Sequence, residues 1–189
     1  MSRSLDRPAS GLPVLIFQKF FIQLSGGVAR QLGSKIDAAR EQGLDIAADV
    51  YPYTAGGTGI DATVPTWVWA DGIPKGIERL QDPAIRERLK AEVAAGSLKG
   101  WSNLVEAAGG WSNVVLANSH QPEMAYLHGK NFEEIGALLG TDPADAAWDI
   151  LLAAAPKRAM ALYFMMSEED IETALLQPWT SIGSDASAS

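Results

Sequence analysis

An α/β fold is what this sequence predicts, and three observations carry the prediction. Short apolar runs rich in β-branched and aromatic residues alternate with longer amphipathic segments, glycines and Asp-Pro pairs punctuate the boundaries, and 47% of the 189 residues are hydrophobic. That content is enough to build a core. The order reads strand, helix, strand, long loop with helices, strand, two helices, strand, helix, strand. Strands separated by helices favour a parallel sheet. A closed (β/α)8 barrel takes about 250 residues. With four or five strand candidates, the chain corresponds to one domain over 1–189. On count alone that domain is half of a TIM-type barrel or a small open sheet, with 1–12 as a disordered tail.

Each element has its own justification. VLIF at 14–17 follows Pro13 and reads as a buried strand. VARQLGSKIDAAREQG at 28–43 puts Val28, Leu32, Ile36 and Ala39 on one helical face and stops at Gly43. LDIAADV at 44–50 is a second strand, which completes a βαβ spacing. Residues 51–70 are rich in Gly, Pro, Thr and aromatics without a period and read as a long loop, a kind that is often functional.

Asp82-Pro83 opens a helix that runs to Gly96, with charges over most of its circumference and therefore solvent-facing. GWSN occurs at 100–103 and again at 110–113, too short and too few for a repeat architecture. The second copy leads into a strand, VVLA. NFEEIGALLG and, behind Asp142-Pro143, ADAAWDILLAAA are helices, and MALYFMM is the next apolar run. Ser167, with Asp170 three residues on, has the form of a capping box for EEDIETALL, and TSIG is a last strand.

Charge and composition exclude several functions. Asp and Glu outnumber Lys and Arg by 23 to 15, the net charge is -8 and the pI is near 4.7, so the net charge opposes nonspecific attraction to nucleic acid or anionic lipid. Without cysteine there is no disulfide, thiolate ligand or cysteine nucleophile. No apolar run reaches the roughly 20 residues of a membrane span. Lys19 and Gln18 interrupt the apolar stretch near the N-terminus, which argues against a signal peptide and for a cytoplasmic location.

His120 and His128 lie eight residues apart, a spacing that neither a helix nor a hairpin closes, and read as surface histidines. AGGTG lacks the lysine and the strand-to-helix context of a phosphate loop. The six tryptophans are core or interface aromatics.

GLDIAADVYPYTAGGTG at 43–59 resembles the N-acyl-D-amino-acid deacylase (D-aminoacylase) family of metal-dependent amidohydrolases, with its Asp-x-Tyr-Pro-Tyr-Thr-Ala strand end. FMMSEEDIETALLQPWTSIGSDASAS at 164–189 resembles the same family's Met-Ser-Glu-x-Asp segment and Ile-Gly-Ser-Asp strand end. The segments between them also fit, from Pro13 to Asp185, as a partial copy that holds the later strands of a (β/α)8 barrel.

The resemblance implies hydrolysis of a small-molecule N-acyl-D-amino acid to a D-amino acid and a carboxylate, by a metal-bound water and a carboxylate that carries its proton. Asp185 matches that carboxylate, and Tyr51 and Tyr53 stand where a substrate-pocket wall is implied, or alternatively pack beneath the loop. Asp49 is either a carboxylate supporting the site or a strand-end residue bonding loop amides.

Zinc is the family's metal. Gln18 stands where the family has a metal-binding histidine, and no residue of this chain matches a metal ligand, so zinc is not expected to be bound here. The expectation is a chain inactive by itself. The alternative is a non-catalytic half barrel that self-associates, or pairs with another chain, through open sheet edges.

Overall fold

A computed structural model describes residues 14–16 and 28–184. The chain divides into two compact units, one made of 1–52 and 167–189 and the other of 53–166. The expected tail at 1–12 lies outside the described residues.

In the first unit, β1 (Val14–Ile16), β2 (Ala47–Val50) and β6 (Thr180–Ile182) form a parallel sheet in the order β1-β2-β6. The register pairs Ile16 with Asp49 and Asp49 with Ser181, so the three strands end level. Helices α1 (Val28–Glu41) and α7 (Glu168–Leu175) supply the apolar cover. Ala29, Ile36, Ala48, Val50 and Ala174 are buried; of the face expected for α1, Ile36 is buried and Leu32 and Ala39 are half-buried. Trp179 is also buried and donates its indole N–H to Asp37 Oδ1 on α1 at 2.7 Å.

Ser167 caps α7 by accepting from the Asp170 amide at 3.2 Å. The return bond of a capping box is not made among the described residues; the Ser167 hydroxyl donates to the Asp170 carboxylate at 3.1 Å.

The second unit is built on β3 (Ala55–Gly59), β4 (Val114–Asn118) and β5 (Met160–Phe164), an antiparallel sheet with β5 in the centre. This corrects two expectations. Residues 55–59 are a strand, not part of a loop, and β4 and β5 do not continue the parallel sheet. Glycines hide the strand from propensity, yet they allow it. A Cβ on Gly56 would lie 2.8 Å from Met165 Cε. The alternation along β5, with Ala161 and Tyr163 buried and Leu162 and Phe164 at 36% and 44% exposure, is the mark of an antiparallel strand covered on one face.

Around this sheet lie α2 (Ile73–Gln81), α3 (Pro83–Ala95), α4 (Leu104–Ala107), α5 (Phe132–Leu139) and α6 (Pro143–Ala154), with short 3₁₀ turns between them. The core holds Ile60, Leu80, Leu89, Leu116, Phe132, Trp148 and Tyr163. Helix α3 is not wholly solvent-facing: Leu89 and Val93 form a narrow buried stripe that its charges conceal in the sequence. Its start is as expected, with Asp82 accepting from the Ala84 amide at 2.8 Å. The start at Asp142, which caps α6, holds as well, and Asn131 and Glu134 close a capping box on α5.

The charges of α3 meet α6 in a chain. Arg86 bridges Asp145 and Asp149, and Lys90 reaches Asp145 at 2.6 Å and Glu87 at 2.7 Å. The hydrogen bond to Asp145 raises the Lys90 ammonium above its ordinary range.

Buried polar groups in this unit are matched. Trp148 donates to Thr63 Oγ1 at 3.3 Å, Thr63 donates to the Ile60 carbonyl at 2.7 Å, and Tyr163 donates to the Gly59 carbonyl at 3.0 Å. Trp101 of the first GWSN is buried and donates to the Ala62 carbonyl at 3.1 Å. Trp111 of the second stands edge-on to Phe132, with ring centroids 5.7 Å apart.

Candidate functional site

The candidate site is the carboxyl end of the parallel sheet in the first unit. In parallel α/β structures the strand ends expose backbone and side chains to a common crevice, where chemistry is generally placed. Two stretches about 130 residues apart in sequence meet there, because the register sets Asp49 beside Ser181 and Val50 beside Ile182.

Asp49 is half-buried, and its Oδ1 accepts a hydrogen bond from the Ser181 hydroxyl. Of the two readings of Asp49, the bonding partner is therefore a neighbouring strand's hydroxyl and not a loop amide. Past the strand end, the Gly183 N–H donates to the Val50 carbonyl at 3.0 Å, which extends the pairing toward Ser184. Gly183 also permits a close approach: a Cβ there would lie 3.2 Å from Asp49 Cβ.

Tyr51 follows β2 directly and is half-buried, and Tyr53 is 58% exposed at the start of the second unit. Both make interactions within the fold. Asp185 and Gln18 lie outside the described residues. Of the residues singled out in the sequence, the described part of this sheet end therefore holds Tyr51 and Asp49. Ser181 and Gly183 are additions that only the cross-strand register reveals, since nothing in a sequence states which strands pair.

Among the described residues, no three His, Asp or Glu side chains converge to hold a metal ion. Asp49 is a single carboxylate already engaged by Ser181. This donor set does not fit zinc, which takes three or four convergent N, S or O ligands.

The two histidines do not converge either. His120 is exposed in the turn after β4, with φ at 57°. His128 is half-buried, and its Nε2 lies 2.9 Å from Ser119 Oγ and accepts from the Ser119 amide at 3.1 Å. Ser119 is fully buried, and its hydroxyl also contacts the Gln121 carbonyl and amide, so the pair ties a turn together. Among the described residues, no helix is long and apolar enough to cross a membrane.

Comparison with known proteins gives one kind of match. No family model matches the chain, and no curated protein does. Among solved structures it is similar to the N-acyl-D-glutamate deacylase of Bordetella bronchiseptica complexed with zinc and a phosphonate inhibitor, at 24% identity and a TM-score of 0.49. It is also similar to a D-aminoacylase described as defining a novel subset of amidohydrolases, at 23% identity and 0.45. A D-aminoacylase studied for its binuclear metal centre is similar at 24% identity and 0.44. In each case the likeness covers 84% of this chain and 23% of the other, so the chain spans under a quarter of their length.

Proposed function

We propose that this chain is one portion of an amide-hydrolysing (β/α)8 barrel acting on N-acyl-D-amino acids, and that it supplies the strand end carrying the acid–base carboxylate. The observation that supports this reading is the parallel pairing of β2 with β6. β2 and β6, the strands that belong to the two stretches on which the sequence resemblance rests, run side by side and in the same direction, as neighbouring strands of a barrel do.

In this reading Asp185 takes a proton from the water that attacks the amide carbonyl and returns it to the departing amine, which needs one carboxylate in two protonation states. Asp49, held by Ser181, shapes the edge beside it, and Tyr51 and Tyr53 form a pocket wall for the acyl amino acid. The groups that hold the metal are supplied by residues other than the described ones. By itself the 189-residue chain is then inactive toward these substrates.

A graft tests the proposal. Residues 43–185 replace the matching region of a D-aminoacylase, and hydrolysis of N-acetyl-D-amino acids is followed. The expected result is a folded, active chimera in which Asp185→Ala lowers kcat about 10²–10⁴-fold, the usual range for a lost acid–base group. Full activity of Asp185→Ala, or a folded chimera without turnover, contradicts it.

A second reading is favoured by the sheet order. Among the described residues β1 and β6 are the outer strands of the parallel sheet, and outer strands recruit further strands. Self-association through them without catalysis predicts a dimer or larger species in sedimentation velocity, and a monodisperse monomer contradicts that reading.

A further inference from the structure

The second unit contains a cavity of about 750 Å³ that no part of the hydrolase reading uses. Its walls are mostly apolar: Trp69 from the 3₁₀ turn before α2, Ile73 and Ile77 from α2, and Leu151 with Pro156 from the end of α6 and the segment after it. Its size lies in the range of small-ligand sites, which typically span about 300–1,000 Å³.

Two features show that the wall is shaped. Gly76 lies under the Trp69 ring, where a Cβ would come within 2.1 Å of Cε3, so only glycine lets the indole lie against α2. Ile73 stands 70% exposed on the rim, apolar surface that folding within this unit leaves uncovered.

One end of the cavity is charged. Arg158 and Asp61 are joined by two hydrogen bonds, Nε to Oδ1 at 2.6 Å and Nη2 to Oδ2 at 3.1 Å, with Nη2 also on Thr58 Oγ1 at 3.3 Å. That pair is neutral as a whole, and its hydrogen bonds to described residues leave Nη1 unused. Lys157 lies beside it in the lining, exposed, with no carboxylate partner among the described residues. The polar end thus carries two cations against one anion, a local excess of one positive charge on a chain of net charge -8. An apolar slot closed by one uncompensated cation complements a monoanionic amphiphile.

From this geometry we infer that the cavity between Trp69, Ile73 and Arg158 binds a monocarboxylate bearing an aliphatic or aromatic group. The apolar group lies along Trp69, Ile73 and Ile77, and the carboxylate meets Lys157 and Arg158 Nη1. The cavity belongs to the second unit alone, so the inference does not rest on the hydrolase reading.

Isothermal titration of the full 189-residue chain with sodium octanoate tests it, with octan-1-ol as the neutral counterpart. Saturable one-to-one binding of octanoate is expected, tighter than that of octanol. Lys157→Glu and Ile73→Glu, both at exposed positions where folding is not at stake, each weaken octanoate by about tenfold or more, the scale of one reversed charge contact in a partly desolvated slot. No saturable octanoate binding overturns the inference. Equal affinity for octanol overturns it too, as does octanoate binding that either variant leaves unchanged.

Discussion

Asp49 and Ser181 join strands whose sequences are 132 residues apart, through a hydroxyl that donates to a carboxylate. A hydrogen bond to a charged acceptor contributes about 1.5–3 kcal/mol when well formed and less where water competes. Ser181→Ala is therefore expected to cost the first unit about 1 kcal/mol, read by urea unfolding followed at Trp179. In a double-mutant cycle with Asp49→Ala the two losses are expected to be non-additive. Additive losses would mean that the hydroxyl and carboxylate do not interact.

Tyr163 makes a pH prediction. Burial, with the Asp61 charge adding to it, pushes the phenol above its ordinary 10.0. The folded state thus holds this proton more tightly than the unfolded chain does. Its contribution is complete below pH 10.0 and is lost as pH rises from there toward the folded value. Lys90, raised from 10.5 chiefly by its hydrogen bond to Asp145, acts in the same direction at slightly higher pH. Tyr163→Phe is accordingly expected to lose about 1 kcal/mol at neutral pH, from the bond to the Gly59 carbonyl, and to show a shallower but not flat alkaline limb in thermal melts. An unchanged limb would contradict the burial argument.

The elements differ in how plainly the sequence announced them. The starts at Asp82, Asp142 and Ser167 were legible because each cap satisfies amides that would otherwise be orphaned, and only a few residue types can do so. Asn131→Ala is expected to cost about 1 kcal/mol, since both bonds of its capping box are made. Strand β3 was not legible. Its AGGTG has low strand propensity, and it is held by pairing with β5 and by the space its glycines leave for Met165. Strand direction was not legible either, because a period of two or a short apolar run says nothing about which neighbour a strand takes or which way it runs.

Gly76 shows what lone glycines hide: in the sequence it is a weak spot in α2, and in the fold it is the seat of an indole. Gly76→Ala must displace the Trp69 ring, so it is expected to lower stability by more than the ~1 kcal/mol that alanine normally adds to a helix over glycine, with a changed tryptophan fluorescence. A stabilised protein with unchanged emission would refute the packing argument.

At the scale of the whole molecule, two strand ends were more legible in the sequence than the architecture that joins them. Two motif-bearing stretches were expected at strand ends, and β2 and β6 are parallel neighbours that end level. A parallel sheet was expected to run through the chain, whereas the described residues fold as two units with one parallel and one antiparallel sheet. The reason is physical: local pattern fixes which residues are buried, while partition into units depends on contacts between distant segments, such as 1–52 with 167–189.

As proposed above, this chain brings the carboxylate end of a hydrolytic site, with the metal donors outside the described residues. Zinc bound per chain, measured by elemental analysis on purified, monodisperse protein after extensive dialysis, tests this most directly. No stoichiometric zinc is expected, because Asp49 is a lone carboxylate held by Ser181 and no other donors converge among the described residues. A value near one zinc per chain would contradict it and would place a complete metal site within these 189 residues.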